Sequence, residues 1–186
     1  AIRRVDEAVT IIHNALQESG LEGNTIFIFT VDHGIEFPRA KWFCYDAGIE
    51  VALIIRWPGG GIQGGEICNH LLSNVDLLPT LMELIGAEIP DNVEGLPFTE
   101  VFQKKNAPEI RDAAFSIFQS KEIRSLRTRR YKLIRNFSPR RLLPVPVDMK
   151  NNPKSRVKCP VVQLFDLEND PHEFHDVAQN PDYAEI

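Results

Sequence analysis

The chain has 186 residues, 43% hydrophobic and 25% charged, with a formal net charge of −5. That length supports one domain with a proper core, or a core with a small appendage, and the composition is ordinary for a soluble globular protein. A nucleic-acid binder would carry a basic domain, and a membrane protein an apolar run of roughly 18 residues. This chain is acidic and has no such run, so neither nucleic acid nor membrane is expected as a partner.

The opening AIRRVDEAV reads as mid-helix and not as a signal peptide, as if cut from a longer chain. Ile2, Val5, Val9, Ile12 and Leu16 recur three and four apart, which predicts an amphipathic helix over 1–19 ending near Gly20. TIFIFTV (25–31) and VALIIRW (51–57) are apolar runs without alternation, the pattern of central parallel strands covered on both faces. Ser73-Asn74-Val75-Asp76 marks a helix start, with Pro79 in the first turn and Gly86 as the stop. Helix, strand, loop, strand, helix is an α/β order.

After about residue 110 the pattern changes. AAFSIF (113–118), EIRSLRT (122–128), RYKLIRNF (130–137) and VVQLFDL (161–167) are short strands. No crossover helix separates the first three, so an antiparallel meander is expected. Residues 138–160 read as a long excursion, and turns are expected at Asn169-Asp170-Pro171 and Asn180-Pro181. Residues 121–141 hold nine Lys/Arg and one Glu. They form either a solvated strand face or a surface for a polyanion. Cys44, Cys68 and Cys159 have neither zinc nor disulfide spacing and are expected as free thiols.

The chemistry concentrates in FTVDHGIEFPRAKWFCYDAG (29–48). Open α/β sheets bind ligands at the carboxyl ends of their strands, and Asp32 and His33 stand at such an end. A carboxylate there suits a hard cation, and the next residue could add a donor. Gly34 would let the backbone turn away, and Lys41 could reach a bound anion. The same residues also fit a plain Asx-type turn followed by a surface lysine. Arg56, inside the second strand, is expected to pair with a local carboxylate.

The order of pieces discriminates between those readings. FTVDHG (29–34), KxxxYDAGIEVALIIRWPG (41–59), SNVDLLPTLMELIG (73–86), EGLPF (94–98), RSLRTRRYKLIRNF (124–137) and LFDLENDPHEFHDVA (164–178) resemble the second half of a type I sulfatase. GIEFPRAK is most similar to N-sulfoglucosamine sulfohydrolase-like (heparan N-sulfatase-like) members. The resemblance implies part of an alkaline-phosphatase-like α/β core over 1–110, then a small α+β subdomain with an antiparallel sheet over 111–186. It implies Asp32 and the adjacent His33 as ligands of a divalent cation, usually Ca2+, and Lys41 as the residue that contacts the sulfate. The implied substrate is a sulfated carbohydrate or another small sulfate ester.

Two departures follow. Sulfatases build a formylglycine nucleophile from a C/S-x-P/A-x-R motif. Here the cysteines open CYDAG, CNHLL and CPVVQ, so the formylglycine is expected upstream and this chain alone is expected to be inactive. Where relatives commonly read GI-R-V-P, this chain has Gly48-Ile49-Glu50-Val51-Ala52, which leaves substrate choice open. Two other readings stand beside the sulfatase: a phosphodiesterase or phosphonate hydrolase of the same superfamily, and a non-catalytic polyanion-binding module. An uncovered sheet edge would favour self-association.

Overall fold

The computed structural model describes residues 2–37, 39–104, 106–118, 122–138 and 160–186, with the backbone of 142–144 and 156–158. Helix α1 spans Ile2–Glu18. It ends in a left-handed Gly20 at φ 70°. Gly20 N–H donates to Gln17 O and Leu21 N–H to Leu16 O, the paired bonds of a Schellman stop. No α1 residue is buried, so the apolar stripe through Ile2, Val5 and Ile12 is uncovered among the described residues.

Strands β1 (Phe27–Thr30) and β2 (Leu53–Arg56) fall in the two apolar runs. They pair antiparallel, Phe27 opposite Arg56 and Thr30 opposite Leu53, which corrects the parallel reading. A parallel partner needs a crossover that carries the chain back to its starting end. Here the intervening helix α2 (Asp46–Ile49) is one short turn. It folds back on the exit of β1 through a 2.9 Å bond from Gly34 N–H to Gly48 O. The chain therefore re-enters the sheet at the end where it left.

Helix α3 (Leu77–Leu84) follows a 3-10 turn at Asn74–Asp76 and carries Pro79 buried in its first turn. Asp76 closes a capping box by accepting Ser73 N–H at 2.8 Å. The fully buried carboxylate also accepts Leu96 N–H at 2.9 Å and is paired with Arg111, so one side chain ties the helix start to two later segments. A short helix α4 (Glu100–Gln103) leads out of this region.

The remaining strands are β3 (Ala114–Phe118), β4 (Ile123–Arg127), β5 (Tyr131–Asn136), β6 (Leu142–Pro144), β7 (Arg156–Lys158) and β8 (Val162–Asp166). β3-β4-β5-β8 form one four-stranded antiparallel sheet, and β6 pairs with β7 separately. The meander is as expected. Much of the 138–160 excursion, and Cys159, lie outside the described residues.

The inner face of the four-stranded sheet builds the main core. Ile123, Ile134, Phe165 and Leu167 pack with Cys44 and Tyr45 from the loop after β1. Tyr45 Oη donates to Gln163 Oε1 at 3.0 Å. The opposite face leaves Phe115, Ile117, Leu133 and Phe137 exposed. Among the described residues no helix is long and apolar enough to cross a membrane.

Candidate active site

β1 ends at Thr30, and Asp32 and His33 follow in an exposed bend. The Asp32 side chain is 87% exposed and lies 3.5 Å from His33 Nε2 through Oδ2. His33 Nδ1 is 2.8 Å from the carbonyl oxygen of Gly34. A carbonyl only accepts, so Nδ1 carries the proton in that contact and Nε2 is left facing Asp32. Carboxylate and imidazole therefore point at one common region.

Gly34 holds this bend against α2. A Cβ on Gly34 would lie 1.9 Å from the Ala47 carbonyl oxygen, and one on Gly48 would lie 2.2 Å from that of Ala40. Only bare α-carbons allow the bend, the 39–43 loop and α2 to stack this closely. Lys41 sits on that loop, its N–H donating to Ile35 O at 3.1 Å. Its ammonium is 3.9 Å from Glu36 Oε2 and 5.6 Å from the Trp42 ring centre. Neither contact is short, so the cation remains available to an anion.

Behind the loop lies a buried ionic cluster that sequence reasoning missed. Lys132 on β5 is fully buried, with Nζ donating to Asp46 Oδ1 at 2.6 Å and lying 3.1 Å from Glu173 Oε1. Glu173 Oε2 accepts Asp46 N–H at 2.7 Å, and Arg127 Nε donates to Asp46 Oδ2 at 3.1 Å. Burial pushes the Glu173 carboxyl above its usual range against the pull of Lys132. Burial likewise raises the Cys44 thiol, which keeps it an inert core group. Arg39 donates to the Glu173 carbonyl and stacks 4.2 Å from the Tyr45 ring centre. A cleft of about 320 Å³ opens here, lined by Arg39, Glu50, His172 and Phe174 among others.

Of the rest of the basic stretch, Arg129 and Arg130 are neutralised, Arg124 and Arg135 have no carboxylate partner among the described residues, and Lys121, Arg140 and Arg141 lie outside them. Arg129 pairs with Glu109, and Arg130 with Asp166 and Glu168. Arg124 and Arg135 oppose each other across β4 and β5 and stack on Phe137. Arg56 pairs with Glu22 at 2.7 Å, as expected.

The fold is part of an alkaline-phosphatase-like α/β architecture. BT4656, solved in complex with its substrate D-glucosamine-2-N,6-O-disulfate, aligns over 99% of this chain and 36% of its own, with a TM-score of 0.76 and 23% identity. The phosphonate monoester hydrolase of Agrobacterium radiobacter aligns over 99% of this chain and 37% of its own, with a TM-score of 0.69 and 27% identity. Residues 37–158 match the family described as N-sulphoglucosamine sulphohydrolase, C-terminal. An ulvan-active sulfatase of Formosa agariphila is 32% identical over 99% of this chain. The chain belongs to the sulfatase family, and it spans 40% of that relative's length.

Membership implies a formylglycine and a divalent cation in the whole enzyme. Asp32, exposed and with an oxygen facing His33, fits a hard cation as one ligand; His33 Nε2 fits less well, because calcium prefers oxygen. Among the described residues no group of three or more His, Cys, Asp or Glu could hold a metal ion. Asp32 and His33 would supply at most two of the six to eight donors that Ca2+ takes.

Proposed function

We propose that this chain is the downstream part of the catalytic unit of a sulfatase that hydrolyses sulfate ester or sulfamate groups on a carbohydrate. The observation that carries the reading is the closed 34–48 loop, in which Gly34 N–H to Gly48 O and Lys41 N–H to Ile35 O hold a carboxylate, an imidazole and an ammonium on one short segment. In this reading Asp32 ligates a divalent cation, usually Ca2+, and His33 stands beside it. Lys41 contacts the sulfate.

Charge builds on the sulfate oxygens as the S–O or S–N bond breaks, and a fixed ammonium stabilises it. A bound divalent ion would add Lewis-acid stabilisation of the same oxygens. The cleft beside Arg39, Glu50, His172 and Phe174 combines an exposed aromatic face with hydrogen-bonding groups, which suits a sugar ring. The division into a core part (1–110) and a sheet subdomain (111–186) belongs to this reading.

The test is turnover of D-glucosamine-2-N,6-O-disulfate by the longer protein that contains this chain. Lys41→Ala is expected to lower kcat by roughly 100-fold or more, in the range of a lost oxyanion donor. Wild-type turnover by that variant would sink the assignment. The 186-residue chain alone is expected to show none, and metal-dependent hydrolysis by it would overturn that part. A second reading, phosphonate monoester hydrolysis, is favoured by the 27% identity to the Agrobacterium enzyme. A higher kcat/KM for a phenyl phosphonate monoester than for any sulfated sugar would select it.

A further inference from the structure

We propose that Lys132 is a positioning residue for the candidate site, acting through α2 on the Asp32-His33-Gly34 bend. It touches neither Asp32 nor Lys41. Its ammonium holds Asp46, the first residue of α2, at 2.6 Å, and Glu173 holds the same residue by its backbone N–H at 2.7 Å. Gly48, two residues on, accepts the Gly34 N–H. The relay therefore runs from β5 through one ion pair and one short helix to the bend. It rests on the reading of that bend as the site.

Three features separate this cluster from ordinary stabilisation. Burying one cation and two carboxylates is a poor source of net stability, because desolvation offsets much of the attraction. Apolar residues in place of the whole cluster would serve the core as well, whereas removing Lys132 alone leaves two buried carboxylates without the cation they share. Glu173 reaches its place with φ 58°, a backbone state that is costly for a side chain other than glycine. The flank of the loop is already fixed by apolar packing, since Cys44 and Tyr45 sit in the sheet core. The charges add a fixed axial position for α2, and the Gly34 contact transmits it without slack, its missing Cβ leaving no space for adjustment.

The test is amide hydrogen exchange by NMR, with selective glycine, leucine and isoleucine labelling, on the longer protein that contains this chain. Lys132→Met keeps the length of the side chain and removes the charge. Gly34 exchange is expected to rise at least tenfold relative to Leu126 and Ile134, which lie in the β4–β5 ladder, and the Gly34 amide proton is expected to shift upfield as its bond to Gly48 loosens. An equal rise at all three amides would mean a merely structural role, and no rise would mean no coupling; either overturns the proposal. If Lys132→Met does not fold, Asp46→Asn carries the test with the same expected pattern. Unfolding of both also overturns it, because the cluster would then hold the sheet and not the bend. The readout needs no turnover, so failure of the sulfatase reading, seen with Lys41→Ala, is distinguishable from failure of the relay.

Discussion

Gly34 donates its N–H to Gly48, and its α-carbon lies so close to Ala47 that a Cβ would fall 1.9 Å from that carbonyl oxygen. Gly34→Ala is therefore expected to cost about 1–3 kcal/mol, the range for forcing atoms into a packed site. Gly23→Ala, where an added Cβ meets nothing within 4 Å, is the control and is expected to be near neutral. Urea midpoints at constant m-value check both. Equal midpoints for the two variants would refute the close-approach argument.

Asp32→Asn separates function from stability. The side chain is 87% exposed and contacts only its neighbour His33 among the described residues. The unfolding midpoint should move by less than about 0.5 kcal/mol. Divalent-cation dependence of turnover in the longer protein should weaken, read as a higher metal concentration for half-maximal rate. An unchanged metal profile would remove Asp32 from the ligand set.

Asp76 is the opposite case. It is fully buried and accepts from Ser73, Leu96 and Arg111. Asp76→Ala strands two backbone donors and a guanidinium, so a loss of about 3–5 kcal/mol is expected, the range for breaking a buried pair. Denaturant unfolding followed by far-UV circular dichroism measures it. A loss below 1 kcal/mol would show that water replaces the carboxylate.

Arg130 sets a pH dependence. Its hydrogen bond is the largest cause holding the Asp166 carboxyl below the ordinary aspartate range, helped by Asn169 and Tyr183. A depressed folded-state pKa gives stability that is present above the unfolded value, about 4, and lost as pH falls through the folded value. Wild type should therefore lose stability more steeply below about pH 4 than Arg130→Gln. The gap between their urea midpoints is expected to be widest near neutrality and to close on acidification. A gap constant with pH would contradict the assignment.

Much of this structure is legible in the residue pattern, and the exceptions have physical causes. The spacing of Ile2 to Leu16, the Gly20 and Gly86 stops and the Ser73–Asp76 start all translate directly into helix limits. Strand direction does not, because an apolar run without alternation has no polarity of its own. The burial of Lys132 was hidden for a different reason. Alternation along β5 separates Lys132, Ile134 and Asn136 from Tyr131, Leu133 and Arg135, but each set mixes apolar and polar groups. The face with Lys132 is the buried one, and its lysine finds its partners 86 and 41 residues away in sequence, at Asp46 and Glu173. Asp32, His33 and Lys41 are candidates that the order of motifs along the chain singles out, since a strand end, a glycine and a loop lysine alone also fit an ordinary turn. Their support from β5 is not local.

The sharing of Cys44 and Tyr45 between the loop and the sheet core also bears on how such chains can be recombined. A graft of the region after residue 110 from one relative onto another would bring a new inner face against an old Tyr45, old Cys44 and old Asp46. Functional hybrids should therefore inherit residues 43–46 from the same parent as the sheet. A breakpoint ahead of residue 43 respects the physical seam, and one at the end of the helical region cuts through a single core.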